Sequence, residues 1–231
     1  MNDFQDKSHT SNPVTLVLGG TGKTGRRVAE RLQARGIDTR IASRSASPAF
    51  DWNDQSTWKT TLEGVEAVYV TYAPDLAIPG ATVAVRGFVA MAVEQGVRRL
   101  VLLSGRGEEE AQACERIVQD AGVEWTVVRA SWFNQNFSEG EFLGMVLDGA
   151  ITLPAGDIPE PFVDVNDIAD VAAAALNEDG HNGEIYEVTG PRMLTFTEVA
   201  YEISRAAGRE VQFVQIPKGA FAGAIAESLS L

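Results

Sequence analysis

The chain has 231 residues, of which 45% are hydrophobic and 22% are charged. This balance is typical of a globular protein with a hydrophobic core, and it excludes a fibrous or wholly disordered chain. Lys and Arg number 19 against 32 Asp and Glu, which gives a formal net charge of −13. A chain this acidic repels phosphate backbones and anionic lipids, so direct nucleic-acid binding is not expected.

Nothing in the sequence indicates a membrane segment, a disulfide or a zinc site. No apolar run approaches the roughly 18 residues that a spanning helix needs, and the polar N-terminus lacks an apolar signal segment. Cys114 is the only cysteine, and His9 and His181 are the only histidines. We therefore expect a cytoplasmic protein without a metal site.

Short strand-like segments alternate with helical segments over residues 13–130. Val14–Gly20 predicts a strand that ends in glycines, and a helical pattern of apolar residues follows it as far as Gly36. Two more helices are predicted over 80–95 and 108–121, and further strands over 38–44, 65–72, 98–104 and 124–130. This alternation predicts right-handed βαβ crossovers and a parallel sheet.

The pattern changes after Ala130, where a loop-rich stretch begins. A helix is predicted over 167–176 with Asn166 as its N-cap, and another follows Thr195, with Glu198 completing a capping box. Strands are predicted over 184–190 and 211–217. We interpret these elements as the last strands of the sheet together with a small lobe over their carboxyl ends.

The sharpest motif is the glycine-rich segment between the first predicted strand and helix. It reads Gly19-Gly20-Thr21-Gly22-Lys23-Thr24-Gly25 and contains both GxGxxG and GxxGxxG. Glycines allow a tight turn, and the amide groups at the helix N-terminus then hold a diphosphate, so this context predicts a dinucleotide site. The alternative is a glycine turn that only packs a helix on a sheet. A triphosphatase loop is excluded because Val17 stands where that motif needs glycine.

The end of the second predicted strand indicates which dinucleotide is bound. NAD sites usually carry an acidic residue there, whereas this chain has Ala42-Ser43-Arg44-Ser45, and Asp38 lies at the wrong end of the strand. A guanidinium beside hydroxyl groups suits a 2′-phosphate, so we favour NADP(H). The alternative for Arg44 is a solvated surface arginine.

These observations predict an α/β fold, a Rossmann-type doubly wound parallel sheet with a small C-terminal substrate lobe. We expect residues 13–130 to form the NADP-binding core. Residues 131–231 would supply the remaining strands and the small substrate-binding lobe, within one integrated domain.

The chain resembles the NmrA-like atypical short-chain dehydrogenase/reductases, a group that includes quinone reductases. The similarity covers about 14–217 and is carried by GGTGKTG, ASRS, FDWNDQSTW, GVEAVYVTYAPD, RRLVLLSG, AGVEWTVVRASWFNQNF and FVDVNDIADVAAAAL. The resemblance implies a Rossmann domain with a C-terminal substrate lobe, and it implies roles for individual residues by their matching position.

By this resemblance, cofactor contacts fall on the diphosphate turn, the 2′-phosphate reader and the segments beside adenine and ribose: Gly19, Thr21, Gly22, Lys23, Thr24, Arg44, Asp51, Trp52, Thr71, Tyr72 and Ala73. Ser104 is placed near the nicotinamide, and Tyr72 and Ser104 are the hydroxyl groups expected to take part in catalysis. The substrate loop would be formed by Trp132, Phe133, Asn136 and Phe137, although these aromatic rings could equally be core.

The sequence departs from the larger superfamily at the catalytic Tyr-x-x-x-Lys relay. Gly107 and Ala111 stand where that tyrosine and lysine should be, and Glu108 stands where isoflavone-reductase relatives have a lysine. The resemblance therefore implies an NADPH-dependent reductase that passes hydride to a small conjugated or aromatic molecule such as a quinone, which needs little acid help. A non-catalytic NADP-sensing regulator and a biosynthetic ketoreductase or epimerase are the alternatives, and a homodimer is left open.

Overall fold

The computed structural model describes residues 13–221, so the predicted polar tail, His9 and the C-terminal end of the predicted lobe lie outside the described part. The strands are β1 (Val14–Val17), β2 (Thr39–Ile41), β3 (Val65–Val70), β4 (Arg99–Gly105), β5 (Glu124–Ala130), β6 (Ala150–Leu153), β7 (Glu184–Val188) and β8 (Gln212–Gln215). The helices are α1 (Lys23–Ala34), α2 (Trp58–Leu62), α3 (Ala81–Glu94), α4 (Glu109–Gln119), α5 (Leu143–Asp148), α6 (Val165–Asn177) and α7 (Phe196–Ala207).

Six strands form the main sheet in the order β2-β1-β3-β4-β5-β7, and β6 pairs in parallel with β8 in a separate two-stranded sheet. Strand β1 pairs in parallel with both β2 and β3, and β3 pairs in parallel with β4. The chain thus moves to one side of β1 to form β2 and to the other side to form β3. This reversal confirms the predicted Rossmann-type α/β fold and creates a topological switch point at the carboxyl ends of β1 and β3.

The chain divides into two compact units. The first contains residues 13–128 and 169–186, and the second contains 129–168 and 187–221. The first unit therefore holds the glycine turn and most of the main sheet. The second holds the β6–β8 sheet, α5 and α7.

One large cluster of core residues in the first unit lies on one face of the sheet. Alternate residues of β1 and the residue that follows it, of β3 and of β4 point to this face, where they meet the apolar sides of α2, α3 and α4. These residues are Leu16, Leu18, Val68, Val70, Leu100, Leu102, Trp58, Val85, Phe88, Ala111 and Val118. Because β3 alternates in this way, Tyr69 points to the opposite face.

The second unit has a core of its own, rich in phenylalanine. It contains Phe137, Ile151, Leu153, Phe162, Phe196, Val199 and Val211. The predicted capping box at α7 is confirmed, because Thr195 Oγ1 accepts from Glu198 N while the Glu198 carboxylate accepts from Thr195 N. The prediction that Asn166 caps α6 is wrong, since Asn166 lies inside the helix and Asp164 Oδ1 accepts from its backbone N–H at 2.7 Å.

Candidate functional site

The glycine turn follows β1 and is held by backbone hydrogen bonds on both sides. Leu18 N donates to Tyr69 O in β3, and Gly20 N donates to Ala42 O after β2. Within the turn, Gly22 N donates to Gly19 O at 2.8 Å, and Gly19 has a positive φ of 59°. The turn therefore lies between the ends of β2 and β3, at the switch point of the sheet.

Neighbouring atoms leave no room for a side chain at two of the glycines in this motif. A Cβ atom at Gly25 would lie 2.3 Å from Gly19 O, and one at Gly20 would lie 2.5 Å from Ile41 Cγ2. Gly25 belongs to the first turns of α1, so its lack of a side chain lets the helix start directly against the glycine turn. This close packing is the third role of glycine in a dinucleotide fingerprint.

The N-terminus of α1 suits an anion. Gly22 precedes the helix in an extended conformation without a side-chain cap, and the first turn has no acidic residue. The first amide groups of a helix have no partner within the helix, and they carry the positive end of its dipole. A dinucleotide diphosphate fits this position, with Gly19, Thr21, Gly22, Lys23 and Thr24 as the residues that would hold it.

Arg44 lies in an exposed turn that follows β2. Ser43 Oγ and Ser45 Oγ are 3.3 Å apart in the same turn, and Ser43 O accepts from Phe50 N. The structure thus presents one guanidinium and two hydroxyl groups to solvent in one short segment. That combination remains a prediction for 2′-phosphate binding.

The segments predicted to lie beside adenine and ribose are brought together. Trp52 Nε1 donates to Thr71 O at 3.2 Å, and the Trp52 and Tyr72 rings have centroids 5.0 Å apart. Further ring contacts, to Phe50 at 5.1 Å and Phe88 at 5.2 Å, fix the indole. Asp51 precedes this indole, and its carboxylate accepts from Asn53 N at 2.9 Å.

Ser104 is the penultimate residue of β4, and its hydroxyl points toward α4. Ser104 Oγ donates to Glu115 Oε1 at 2.6 Å, and both residues are buried, with 4% and 1% of their surfaces exposed. The distance is typical of a strong hydrogen bond to a charged acceptor. Sequence reasoning missed this role of Glu115, because eleven positions and a change of element separate the two residues.

Glu108 is a second acidic residue at the carboxyl end of β4. Burial, and then the negative charges of Asp75 and Glu110, raise the pKa of its carboxyl. A Cβ atom at Gly105 would lie 2.1 Å from Glu108 Oε2, so Gly105 leaves the space that this carboxylate occupies. Glu108 therefore packs over the end of β4, whereas Glu109 and Glu110 stand in the first turn of α4.

The predicted substrate-loop residues belong to the second unit and differ in exposure. Trp132 is 41% exposed, and its ring stacks on Phe142 at 5.8 Å and meets Phe196 edge-on at 5.3 Å. Phe137 is buried in the phenylalanine core. Phe133 forms an isolated β-bridge with Val163, and Asn136 lies in a short 3₁₀ helix. Of the four, Trp132 presents the most open aromatic face.

Among residues 13–221, no helix is long and apolar enough to cross a membrane. The same residues contain no cluster of His, Cys, Asp and Glu side chains that could hold a metal ion.

The sheet order and the glycine turn together define a Rossmann protein of the dinucleotide-binding type. The sequence model described as NAD(P)H-binding matches residues 19–179, and the chain belongs to this family. NAD(P)H is therefore its cofactor class.

Relatives with known names agree with this assignment. The chain is 32% identical over 230 residues to agroclavine dehydrogenase of Claviceps fusiformis, with 92% of this chain and 80% of the relative covered. It is 30% identical over 230 residues to the NAD(P)H azoreductase of Xenophilus azovorans, covering 87% and 76% respectively. A solved structure of the NADPH-dependent quinone oxidoreductase of Escherichia coli shares the fold, with a TM-score of 0.74 at 22% identity and coverage of 94% and 83%. The predicted resemblance is confirmed, and the protein is an NAD(P)H-dependent oxidoreductase.

Proposed function

We propose that the protein transfers hydride from NADPH to a conjugated or aromatic small molecule such as a quinone. The observation that carries this proposal is the hydrogen bond of the Ser104 hydroxyl at the end of β4. The Ser104 proton is directed at Glu115. By the family resemblance, Gly107 and Ala111 would stand at the positions of the tyrosine and the lysine of the Tyr-x-x-x-Lys relay. An acceptor that takes hydride without strong acid help suits such a site better than a simple ketone does.

The cofactor supplies the hydride in this reaction, and the protein supplies binding and orientation. The glycine turn and the N-terminus of α1 hold the diphosphate, and Arg44 binds the 2′-phosphate. For a quinone the balance is NADPH, H⁺ and quinone giving NADP⁺ and hydroquinone, with the proton taken from solvent. Positioning of the two reactants then provides most of the rate enhancement.

Two features support a flat, conjugated acceptor. Trp132 exposes an aromatic face that is held in place by Phe142 and Phe196. The azoreductase relative acts, as its name states, on azo compounds, in which the reducible bond is a conjugated N=N. We propose that Trp132 stacks on the acceptor, with Phe133 and Asn136 in the same loop and Phe137 supporting them from the core.

The proposal is tested by two measurements on the purified protein. Calorimetry with NADPH and NADH reports the cofactor preference, and loss of the reduced nicotinamide absorbance reports turnover with a quinone or an azo dye. We expect preferential NADPH binding and turnover of at least one of these acceptors. Tight NADPH binding without turnover of any of them would contradict the enzymatic proposal and favour a redox sensor.

Arg44→Ala tests the 2′-phosphate assignment. We expect this change to raise the Kd of NADPH roughly tenfold or more while leaving the Kd of NADH unchanged, because a charge-assisted bond to the phosphate is lost. Arg98→Ala is the matched control, since Arg98 is also exposed but stands just before β4, at the opposite end of the strands. Equal losses for both cofactors, or no loss, would show that Arg44 does not bind the 2′-phosphate.

A further inference from the structure

Tyr69 carries a polar group that the fold itself does not use. It lies in β3, in register with Val17 of β1, and its side chain is fully buried. Within the part of the chain that the structure describes, the Tyr69 hydroxyl has no hydrogen-bond partner. Buried polar groups are almost always bonded, because an unmet donor costs free energy that a phenylalanine would not. We therefore infer that the Tyr69 hydroxyl has a role that a phenylalanine at this position could not fill.

The neighbour of this hydroxyl belongs to the glycine turn. Burial raises the pKa of Tyr69 far above its usual range, and the Thr24 side chain opposes this rise. Thr24 therefore lies near the phenol, although without a hydrogen bond of normal geometry. The phenol stays protonated at neutral pH, so it keeps an O–H group to donate.

Thr24 connects the phenol to the cofactor site. It is the second residue of α1, and only 5% of its surface is exposed. Its hydroxyl is thus turned into the protein, while its backbone amide belongs to the first turn of α1, where the diphosphate would bind. The backbone bond from Leu18 N to Tyr69 O further ties this residue of β3 to the start of the turn.

We propose that Tyr69 is a positioning residue for the glycine turn, whose hydroxyl bonds to the Thr24 hydroxyl when the turn closes on the dinucleotide. The free energy spent on burying the unpaired phenol is recovered in the bound state, so the pair increases affinity for the cofactor. The inference rests on the proposed binding of the dinucleotide at this turn, and it adds Tyr69 as a residue that supports the turn. If this inference is right, removing the phenol oxygen lowers the affinity for NADPH but does not lower the stability of the protein without cofactor.

Tyr69→Phe tests this requirement. We expect the Kd of NADPH, measured by calorimetry, to rise roughly fivefold to tenfold, as loss of one net hydrogen bond would produce. The melting temperature without added cofactor should stay equal or rise by a few degrees, because an unpaired buried group has been removed. Thr24→Val should weaken binding to a similar degree, and the double variant should bind no more weakly than either single variant.

Tyr186→Phe is the matched control. The Tyr186 hydroxyl lies 2.8 Å from His181 Nδ1, so its removal deletes a bond already formed and should lower the melting temperature without changing the Kd of NADPH. The proposal is overturned if Tyr69→Phe binds NADPH within twofold of wild type, or if the losses from Tyr69→Phe and Thr24→Val add in full. Wild-type protein that fails to bind NADPH at all would overturn the cofactor site itself, which is a separate result.

Discussion

Ser104 Oγ donates to Glu115 Oε1 across 2.6 Å within the buried part of the first unit. A serine hydroxyl has one proton, so a serine that donates to a carboxylate can offer other groups only its acceptor lone pairs. If Ser104 contacts the reacting groups, it therefore accepts a hydrogen bond and does not supply a proton. Glu115 fixes that orientation from α4.

The first prediction concerns Ser104→Ala. We expect the free energy of unfolding to fall by about 1.5–3 kcal/mol, because a buried hydrogen bond to a charged acceptor is lost. We expect kcat with a quinone to change by less than about tenfold, since a general acid would contribute roughly 100-fold or more. Urea unfolding and steady-state kinetics on the same preparation measure the two effects.

Ser131→Ala is the control for this prediction. Ser131 is also buried, but its Oγ donates to the neutral carbonyl Pro161 O, so its loss should cost only about 0.5–1.5 kcal/mol. Glu115→Gln, which keeps an acceptor oxygen, should be milder than Glu115→Leu. A fall in kcat of several hundredfold in Ser104→Ala would show instead that its proton is used in the reaction.

The second prediction concerns the packing of α1 against the glycine turn. Gly25→Ala places a Cβ 2.3 Å from Gly19 O, a contact with backbone that cannot move aside without distorting the turn. We expect the free energy of unfolding to fall by about 2 kcal/mol or more and NADPH binding to be lost. Thermal unfolding with and without NADPH measures both, because a bound ligand raises the melting temperature.

Gly144→Ala is the matched glycine substitution. Gly144 lies in α5 of the second unit, and a Cβ built there would meet no atom within 4 Å apart from its chain neighbours and the backbone of its own helix. Replacing a helical glycine by alanine should stabilise the protein by about 0.5–1 kcal/mol and leave cofactor binding intact. If Gly25→Ala bound NADPH as wild type does, close approach would not be the reason for glycine at this position.

The sheet and the glycine turn were predictable because they depend on local patterns. Segments with the two-residue period of strands alternate with segments of helical period, and the glycine motif joins the first strand to the first helix, so both features can be recognised from neighbouring residues. The strand order, and with it the switch point, came only from the structure. The predicted helices over 80–95 and 108–121 correspond to α3 and α4 within a few residues. The predicted strand over 38–44 is shorter in the structure, because Ser43 O turns to accept from Phe50 N and the ladder ends.

Contacts between distant residues could not be predicted in the same way. The bond from Ser104 to Glu115 and the approach of Tyr69 to Thr24 depend on which face of a strand meets which turn of a helix. The prediction of Asn166 as a cap failed by two residues, since Asp164 and Asn166 are both good capping types and only backbone geometry decides between them.

The third prediction concerns the pH dependence that Glu108 introduces. Its pKa is raised in the folded protein by burial and by Asp75 and Glu110, so the folded state binds a proton more tightly than the unfolded state. Its contribution to stability is therefore present in acid and is lost as the pH rises through the folded-state pKa. We expect Glu108→Gln to be more stable than wild type at neutral pH, with the difference shrinking toward about pH 4 in urea unfolding experiments.

Glu109→Gln is the matched control, for which we expect a change in stability of the opposite sign. Glu109 stands in the first turn of α4, where a negative charge interacts favourably with the helix dipole, so its neutralisation should destabilise the protein by about 0.3–1 kcal/mol at neutral pH. If Glu108→Gln were also destabilising at neutral pH, the Glu108 carboxylate would have to be held by favourable contacts that outweigh burial and its acidic neighbours.

The fourth prediction separates acceptor binding from cofactor binding. Trp132 exposes its indole, whereas Phe137 is buried among Phe142, Phe162 and Phe196. We expect Trp132→Leu to raise the KM for an aromatic acceptor roughly tenfold, because stacking on a planar ring is lost, and to leave the Kd of NADPH unchanged. Phe137→Leu should instead lower the free energy of unfolding by about 1–3 kcal/mol through a poorly filled core.

Steady-state kinetics with quinones of increasing ring number make the test sharper, since stacking predicts that the rise in KM caused by Trp132→Leu grows with the ring area of the acceptor. A loss that is the same for one ring and for three would mean that Trp132 shapes the loop without contacting the acceptor.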